Sequence, residues 1–261
     1  AGLCEKRSGF AESPSDRLRL RLELARVLED QASDPKAALN SLLVALDDDP
    51  GDSDVLAEIE RVAAMVDGWA SASAALEKAI PQRKDLPAET ASDLWMRAAT
   101  WRKDKLGDQK GAEQDFEEAL KHDPQNEVIL RSIEQIQRAP GRERDLVGTL
   151  RRLAALDGSP NPVDLRKEAK SIAEGQLGDN ELCEAILRDM VKANEADAWA
   201  LSELTNVRRK AGDAKETFAL LVRRTELAQD GASIATLRHE AAQVAREDLK
   251  DEKAATDLYE Q

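Results

Sequence analysis

Two cysteines and two histidines are the side chains of this 261-residue chain best suited to bind a metal or react covalently. Cys4 and Cys183 lie far apart, as do His122 and His239, and no Cys-x-x-Cys or His-x-x-x-His spacing occurs. A zinc site needs three or four such ligands close together, and two distant cysteines do not make a disulfide framework. The sequence therefore predicts no metal site, and we expect Cys183 to be a buried, unreactive thiol.

The segment Asp47–Asp54 has the composition of a calcium-binding loop. An EF-hand loop needs glycine at its sixth position and glutamate at its twelfth, whereas here Asp52 takes the sixth position and a helix follows at once. Pro50 and the short polar residues fit a turn that ends one helix and caps the next. No phosphate loop, nucleophile elbow or metalloprotease motif occurs. We therefore expect no enzyme, no catalytic residue and no cofactor.

The amino-acid composition limits the possible fold classes and the possible classes of partner. Aromatic residues make up only 3% of the chain, which argues against a large β core, and abundant Leu and Ala with Glu, Lys and Arg favour helices. A net charge of -14 disfavours binding to nucleic acid or to an anionic membrane. No apolar run of 18 residues occurs, so no membrane insertion is predicted. Two distant cysteines favour a cytoplasmic location, with the periplasm left open.

An internal repeat indicates the secondary structure of the chain. Aspartates recur in similar turns at intervals of 74, 71 and 72 residues, at Asp34, Asp108, Asp179 and Asp251. A second turn, at Asp67, Gly141 and Gly212, lies 34 residues after Ser33, Gly107 and Gly178, which precede the first three of these aspartates. A repeat of about 72 residues matches two helical hairpins of the 34-residue class. The predicted divisions are 1–18 (the end of a preceding hairpin), the long repeats 19–92, 93–163 and 164–235, and 236–261 (a truncated repeat).

The second long repeat resembles the tetratricopeptide repeat (TPR) family most closely. It has a glycine before the inter-helix turn, small residues where helices cross, an aromatic between them and a closing proline: Gly107, Ala112, Phe116, Ala119 and Pro124. The alternating hairpins are similar to those of long bacterial TPR scaffold proteins. The resemblance implies an all-α fold, a right-handed superhelical solenoid of antiparallel hairpins, with about six complete hairpins and partial ones at both ends.

In TPR arrays the first helix of each hairpin lines a concave groove, and the resemblance therefore implies a partner-binding surface. Aligned with the family, its residues are Arg61, Leu94, Arg97, Trp101, Asp104, Arg131, Gln135, Arg138, Trp199, Asn206 and Arg209. Such a groove suits an amphipathic helix or an extended peptide, with Trp and Arg as anchors. In the alternative interpretation, which stays open, the apolar members are packing between helices.

The resemblance implies a scaffold or adaptor that binds a protein partner, whose identity the sequence does not indicate. Two alternatives stay open: a structural spacer in a large assembly, or a regulatory TPR region of a larger enzyme or signalling protein. Residues Leu3 to Phe10 align with the second helix of a hairpin whose first helix is missing, and the chain stops within another hairpin. We therefore expect a fragment of a larger protein whose uncapped ends associate end to end.

Overall fold

The structure is a computed structural model that describes residues 13–260. Its packing divides the chain into two compact units, Ala1–Ile136 and Gln137–Gln261. Every regular element within residues 13–260 is helical, which confirms the predicted all-α class. The prediction of a partial hairpin at Leu3 to Phe10 falls outside the described residues.

In unit 1 the helices form consecutive pairs, and the two helices of a pair, which follow one another in sequence, pack together. Its helices are α1 (Pro14–Asp30), α2 (Pro35–Ala45), α3 (Ser53–Val66), α4 (Trp69–Ala79), α5 (Ala88–Trp101), α6 (Gln109–His122) and α7 (Glu127–Gln137). A short 3-10 turn (Ile80–Gln82) follows α4, and a π-helical segment (Arg102–Leu106) extends α5. The pairs α1–α2, α3–α4 and α5–α6 are the hairpins expected from the repeat.

Unit 2 is built in the same way. Its helices are α8 (Glu143–Ala154), α9 (Pro162–Gly175), α10 (Asn180–Ala193), α11 (Ala198–Lys210), α12 (Ala214–Leu227), α13 (Gly231–Glu247) and α14 (Glu252–Glu260). The pairs α9–α10, α11–α12 and α13–α14 pack as hairpins, and α10 and α12 also pack on the helices that follow them. None of the helices within residues 13–260 is both long and apolar enough to cross a membrane.

A left-handed residue stands at each turn that the repeat predicted. Positive φ angles occur at Ser33 (52°), Asp67 (54°), Gly107 (67°), Gly141 (85°), Gly178 (61°), Gly212 (75°) and Lys250 (58°). The left-handed conformation lets the backbone reverse direction after a helix, and glycine adopts it without steric cost. The three non-glycine residues adopt it at a cost of roughly 1–2 kcal/mol each. The predicted turn positions are therefore confirmed.

The repeated aspartate begins the second helix of a pair by capping it. Its carboxylate accepts a hydrogen bond from the backbone N–H three residues later, in the pairs Asp34–Ala37 (3.0 Å), Asp108–Gly111 (2.9 Å), Asp179–Leu182 (2.9 Å) and Asp251–Ala254 (2.9 Å). A short acidic side chain satisfies an otherwise free amide and complements the positive end of the helix dipole, a contribution of about 1 kcal/mol. The feature that recurs with each long repeat is thus an aspartate that caps the N-terminus of a second helix.

Small residues stand where the helices cross, as the family pattern predicts. Ala38, Ala72 and Ala112 are completely buried, because a small side chain lets two helix axes approach closely. Phe116 fills the space between helices of unit 1 and is only 1% exposed. In unit 2, Cys183 takes the place of the small residue and is buried as a free thiol, as predicted.

Candidate functional site

Unit 1 carries an open groove of about 910 Å³ across helices α3, α5 and α7. Buried apolar side chains form its floor, namely Leu56, Leu94 and Phe116. Ala57, Met96 and Val128 line its sides, and Val128 is 66% exposed. An exposed valine beside a buried apolar floor gives the groove apolar surface that water now covers and that a partner could bury. Of the predicted partner-binding residues, Leu94 and Arg97 line this groove.

The charged groups of the groove differ in whether they have partners. Glu60 on α3 accepts hydrogen bonds from the Arg97 guanidinium and, at 3.2 Å, from Trp101 Nε1. Asp93 is exposed, and among the described residues that line the groove it is the charged one without a hydrogen bond or ion pair. The hydroxyls of Ser53, Thr90, Thr100 and Ser132 complete the lining. One unmatched carboxylate therefore faces the groove beside a neutralised pair.

Trp101 lies below the surface instead of on it. Its side chain is only 4% exposed, and its ring lies 5.9 Å from that of Trp69, which begins α4. Lys105 places its Nζ 5.4 Å from the Trp69 ring centre. Tilted aromatic pairs contribute about 0.5–1.5 kcal/mol beyond the area they bury. Trp69 thus packs against the neighbouring hairpin, and Trp101 positions Glu60 while its ring packs inside unit 1.

The other predicted residues of unit 1 lie away from the groove lining. Arg61 binds Glu29 of α1, and Arg131 binds acids of its own helix α7. Gln135 is exposed on α7. Asp104 lies in the π-helical segment, 3.7 Å from the Lys103 ammonium. Their role in partner binding stays a prediction.

The predicted residues of unit 2 divide between two places. Asn206 and Arg209 line a second recess of about 660 Å³, whose other lining residues include Lys170, Glu174, Cys183 and Glu203. Trp199 is partly buried against the α10–α11 core, with the Lys167 Nζ 5.1 Å from its ring centre. The Arg138 guanidinium binds Glu168 at 2.8 Å. Acids and bases balance within the recess, so its lining indicates no single ligand chemistry.

The arginines predicted as anchors share a feature that sequence reasoning missed. Most of them bind a glutamate on the first helix of an adjacent pair: Arg61 with Glu29, Arg97 with Glu60, Arg138 with Glu168 and Arg209 with Glu240. Within each pair the two partners are separated by 30 to 37 residues. The sequence signal for these ion pairs is a basic and an acidic residue about one hairpin apart, on or next to successive first helices. Because these ion pairs are largely exposed, each contributes about 0–1 kcal/mol.

A second set of charges in unit 1 surrounds Arg102 and is partly buried. The Arg102 cluster consists of Arg102 with Glu77, Asp108 and Asp115. Its guanidinium donates to both Glu77 oxygens, at 2.7 and 2.6 Å, and to the Asp108 cap at 2.8 Å. Nε also lies 2.8 Å from Asp115 Oδ2, but its N–H is directed at Glu77. Burial, reinforced by the charge of Glu77, raises the pKa of Asp115 to about 7 against the partial opposition of Arg102.

Unit 2 contains a related set around Arg208. The Arg208 cluster consists of Arg208, Arg188, Glu184, Asp213 and Glu216. Arg208 donates to Glu184 at 2.6 Å and to the Asp213 cap at 2.7 Å, and Arg188 donates to Glu184 and Glu216. Burial opposes ionisation of Glu184, but hydrogen bonds from Arg188 and Arg208 outweigh it and lower its pKa. The backbone N–H of Glu216 and the Arg208 guanidinium lower the pKa of Asp213.

Asp115, the acid whose pKa is raised to about 7, is 5% exposed and lines neither the groove of unit 1 nor the recess of unit 2. No group of three or more His, Cys, Asp or Glu residues within residues 13–260 is arranged to hold a metal ion. The Cys183 thiol is buried, and burial raises its pKa, which lowers the fraction of reactive thiolate.

Comparison with known proteins adds the following. No protein-family model and no curated protein matches the chain. Solved structures that resemble it include YrrB, a TPR protein with an unusual peptide-binding site (15% identity, 72% of this chain, 90% of that chain, TM-score 0.33). A TPR protein from Parabacteroides merdae matches at 14% identity (93% and 91%, TM-score 0.37), as does the TPR2AB-domain:pHSP90 complex of yeast Sti1 (94% and 96%, TM-score 0.33). Because these TM-scores are below 0.5, the description of the fold as TPR-like rests on the capped helix pairs above.

Proposed function

We propose that this chain is a protein-interaction scaffold that binds a peptide or helical segment of a partner in the groove of unit 1. The observation that supports this proposal is the groove itself, where exposed Val128 and half-buried Met96 lie above an apolar floor and beside Asp93. Single exposed apolar side chains are ordinary on protein surfaces. Here they share one open groove with hydroxyls and an unmatched carboxylate, the mixture that binding sites use for affinity and orientation.

The ion pair beside the groove supports binding by limiting its entropic cost. Arg97 and Trp101 both donate to Glu60, so three side chains on α3 and α5 are held in place before a partner arrives. An interface whose side chains are already ordered loses less conformational entropy on binding. A partner that lies along the groove would cover Val128 and Met96, and burial of one such side chain contributes about 1.5–3 kcal/mol.

Two other functions stay proposals of lower rank. A structural spacer in a large assembly would use the ends of the helix array and leave the groove free. A regulatory region of a larger enzyme or signalling protein would use the groove on another part of the same protein. Neither is favoured by a specific contact among the described residues, whereas the scaffold function is favoured by the groove.

A peptide-display selection with two matched variants tests the scaffold function. Random peptides of about 16 residues, or roughly four helical turns, are selected on the intact chain. Val128 and Val163 are both exposed valines at the second residue of a first helix, α7 and α9, but only Val128 lines the groove. Val128→Glu and Val163→Glu therefore add the same charge at equivalent positions, inside and outside the groove.

We expect selected peptides to bind the parent and Val163→Glu alike and to bind Val128→Glu at least tenfold more weakly, a loss of about 1.4 kcal/mol or more. Circular dichroism of the three proteins should be identical, because both substituted positions are exposed. A selection that returns no peptide sensitive to Val128→Glu would overturn the scaffold function of this groove and favour the spacer.

A further inference from the structure

The charges on the groove of unit 1 indicate what chemistry a partner must bring. Among its described lining residues, Glu60, Asp93 and Arg97 are the ionisable ones. Arg97 and Glu60 bind each other, so their charges cancel. Asp93 is exposed on α5 and has no ion pair or hydrogen bond in the structure. The groove therefore carries one uncompensated negative charge in its wall.

We infer that the partner segment is basic and amphipathic, with a lysine or arginine that reaches Asp93 and apolar side chains that cover Val128 and Met96. This inference rests on the proposed function and specifies the partner class for the same groove. A segment lying along the groove removes water from the Asp93 carboxylate, and a carboxylate that loses water without gaining a partner is strongly disfavoured. A cationic side chain restores the lost interactions with a charge-assisted hydrogen bond.

An acidic segment would find no equivalent position in this groove. The cation on its wall, Arg97, already donates to Glu60, so its charge is neutralised, and an acid bound there would lie beside the Glu60 carboxylate, which repels it. The net charge of -14 acts in the same direction, because it attracts basic segments and repels acidic ones at a distance. The charges of the groove and the net charge of the chain therefore both favour a basic partner.

Two hydroxyls of the groove fit the same class of partner. Thr100 and Ser132 donate their own hydrogens to carbonyl oxygens one turn earlier, at 2.8 and 3.0 Å. Their oxygens keep lone pairs that accept hydrogen bonds from ammonium or guanidinium groups. A hydroxyl whose hydrogen is already used is a poor donor to a carboxylate, which again disfavours an acidic segment.

Charge reversal at Asp93 tests the inference on the peptides selected as described above. Asp30 is also exposed in unit 1 but does not line the groove, so Asp30→Lys changes the net charge by the same amount. We expect the peptides rejected by Val128→Glu to be enriched in Lys and Arg. We expect Asp93→Lys to weaken them by about tenfold or more, Asp93→Asn by about threefold, and Asp30→Lys by less than twofold. A new selection on Asp93→Lys should return acidic peptides.

The outcomes separate this inference from the function on which it rests. If peptides sensitive to Val128→Glu emerge but show no excess of basic residues, or if Asp93→Lys weakens them no more than Asp30→Lys does, the basic partner class is wrong and the groove remains a binding site. If no selected peptide is sensitive to Val128→Glu, the scaffold function of the groove fails and the inference fails with it.

Discussion

The Arg102 cluster of unit 1 and the Arg208 cluster of unit 2 each place an arginine shortly before the turn inside a hairpin, with different consequences. In both, the arginine lies at or near the end of a first helix and joins the capping aspartate of the next helix to a glutamate on the preceding second helix. In unit 1 one arginine serves three acids, and Asp115 is buried with its pKa raised to about 7. In unit 2 a further arginine, Arg188, shares the acids.

The difference shows that the pKa values of the carboxylates in such a cluster depend on how many guanidinium groups bind them and on how deeply they are buried. In unit 2 the pKa of Glu184 is lowered, because hydrogen bonds from two guanidinium groups, those of Arg188 and Arg208, outweigh its lost hydration. In unit 1 the single guanidinium is directed at Glu77 and Asp108, so Asp115 is left with the cost of burial. The pKa is therefore raised at Asp115 of unit 1 and lowered at Glu184 and Asp213 of unit 2.

The largest expected effect is that of removing the central arginine. Arg102→Met leaves three acids of unit 1 without a cation, and we expect a loss of about 3–5 kcal/mol in unfolding free energy at pH 8. Arg208→Met leaves Arg188 in place, so the loss should be about 1–2 kcal/mol. Urea unfolding of both variants measures the two losses. Equal losses would show that Arg188 does not compensate in unit 2.

The next effect is a pH dependence specific to unit 1. The Asp115 pKa is about 7 in the folded chain and about 3.9 in an unfolded one. Between these pH values the folded chain holds a proton that the unfolded chain has released. Stability should therefore fall as the pH rises from 4 to 7, by at most about 1.4 kcal/mol per pH unit. Asp115→Asn should remove this slope and be more stable than the parent at pH 8, as unfolding free energies from pH 5 to 8 would show.

The matched control in unit 2 is Asp213→Asn. Because the pKa of Asp213 is lowered in the folded chain, its contribution is present above the unfolded pKa and is lost only as the pH falls through the folded value. The difference between Asp213→Asn and the parent should thus stay constant from pH 5 to 8. Parallel profiles for the parent and Asp115→Asn would instead mean that Asp115 is ionised throughout that range.

A smaller effect, equal in the two units, is expected at the glycine before each capping aspartate. Gly107 and Gly212 have φ angles of 67° and 75°, and a Cβ at either position would meet no other atom within 4 Å. Alanine there would cost about 1 kcal/mol from backbone strain alone. Thermal unfolding of Gly107→Ala and Gly212→Ala should show similar shifts. Unequal shifts would reveal that one turn depends on its arginine cluster as well as on its glycine.

The smallest effect is expected at the exposed ion pairs between first helices. Arg61 and Arg209 are 45% and 47% exposed, and each binds a glutamate on the first helix of an adjacent pair. Arg61→Gln and Arg209→Gln should each change stability by less than about 1 kcal/mol, and 1 M salt should abolish the difference because solvent screens exposed charges. A larger, salt-resistant loss at either site would show that this arginine contributes as much as Arg102 or Arg208.

The predictability of the fold and of the site differs for a physical reason. The helix pairs follow from local signals, since a left-handed turn residue and a capping aspartate act within a few residues of the chain and recur with the repeat. The candidate site depends on distant residues. Asp93 was not among the predicted partner-binding residues, because nothing near it in sequence indicates that Glu60, 33 positions earlier, already binds Arg97 and leaves Asp93 unmatched.

The sequence by itself determined the helical class, the places of the turns and the identity of the caps, because each of these depends on backbone preferences over a few residues. Only the tertiary structure decided that Trp101 is buried, that most of the predicted anchor arginines bind glutamates, and that Asp115 and Glu184 have opposite pKa shifts. Burial and many of these ion pairs arise only when residues that are distant in sequence meet. Their strength depends on distances and on lost hydration, which a linear pattern does not contain.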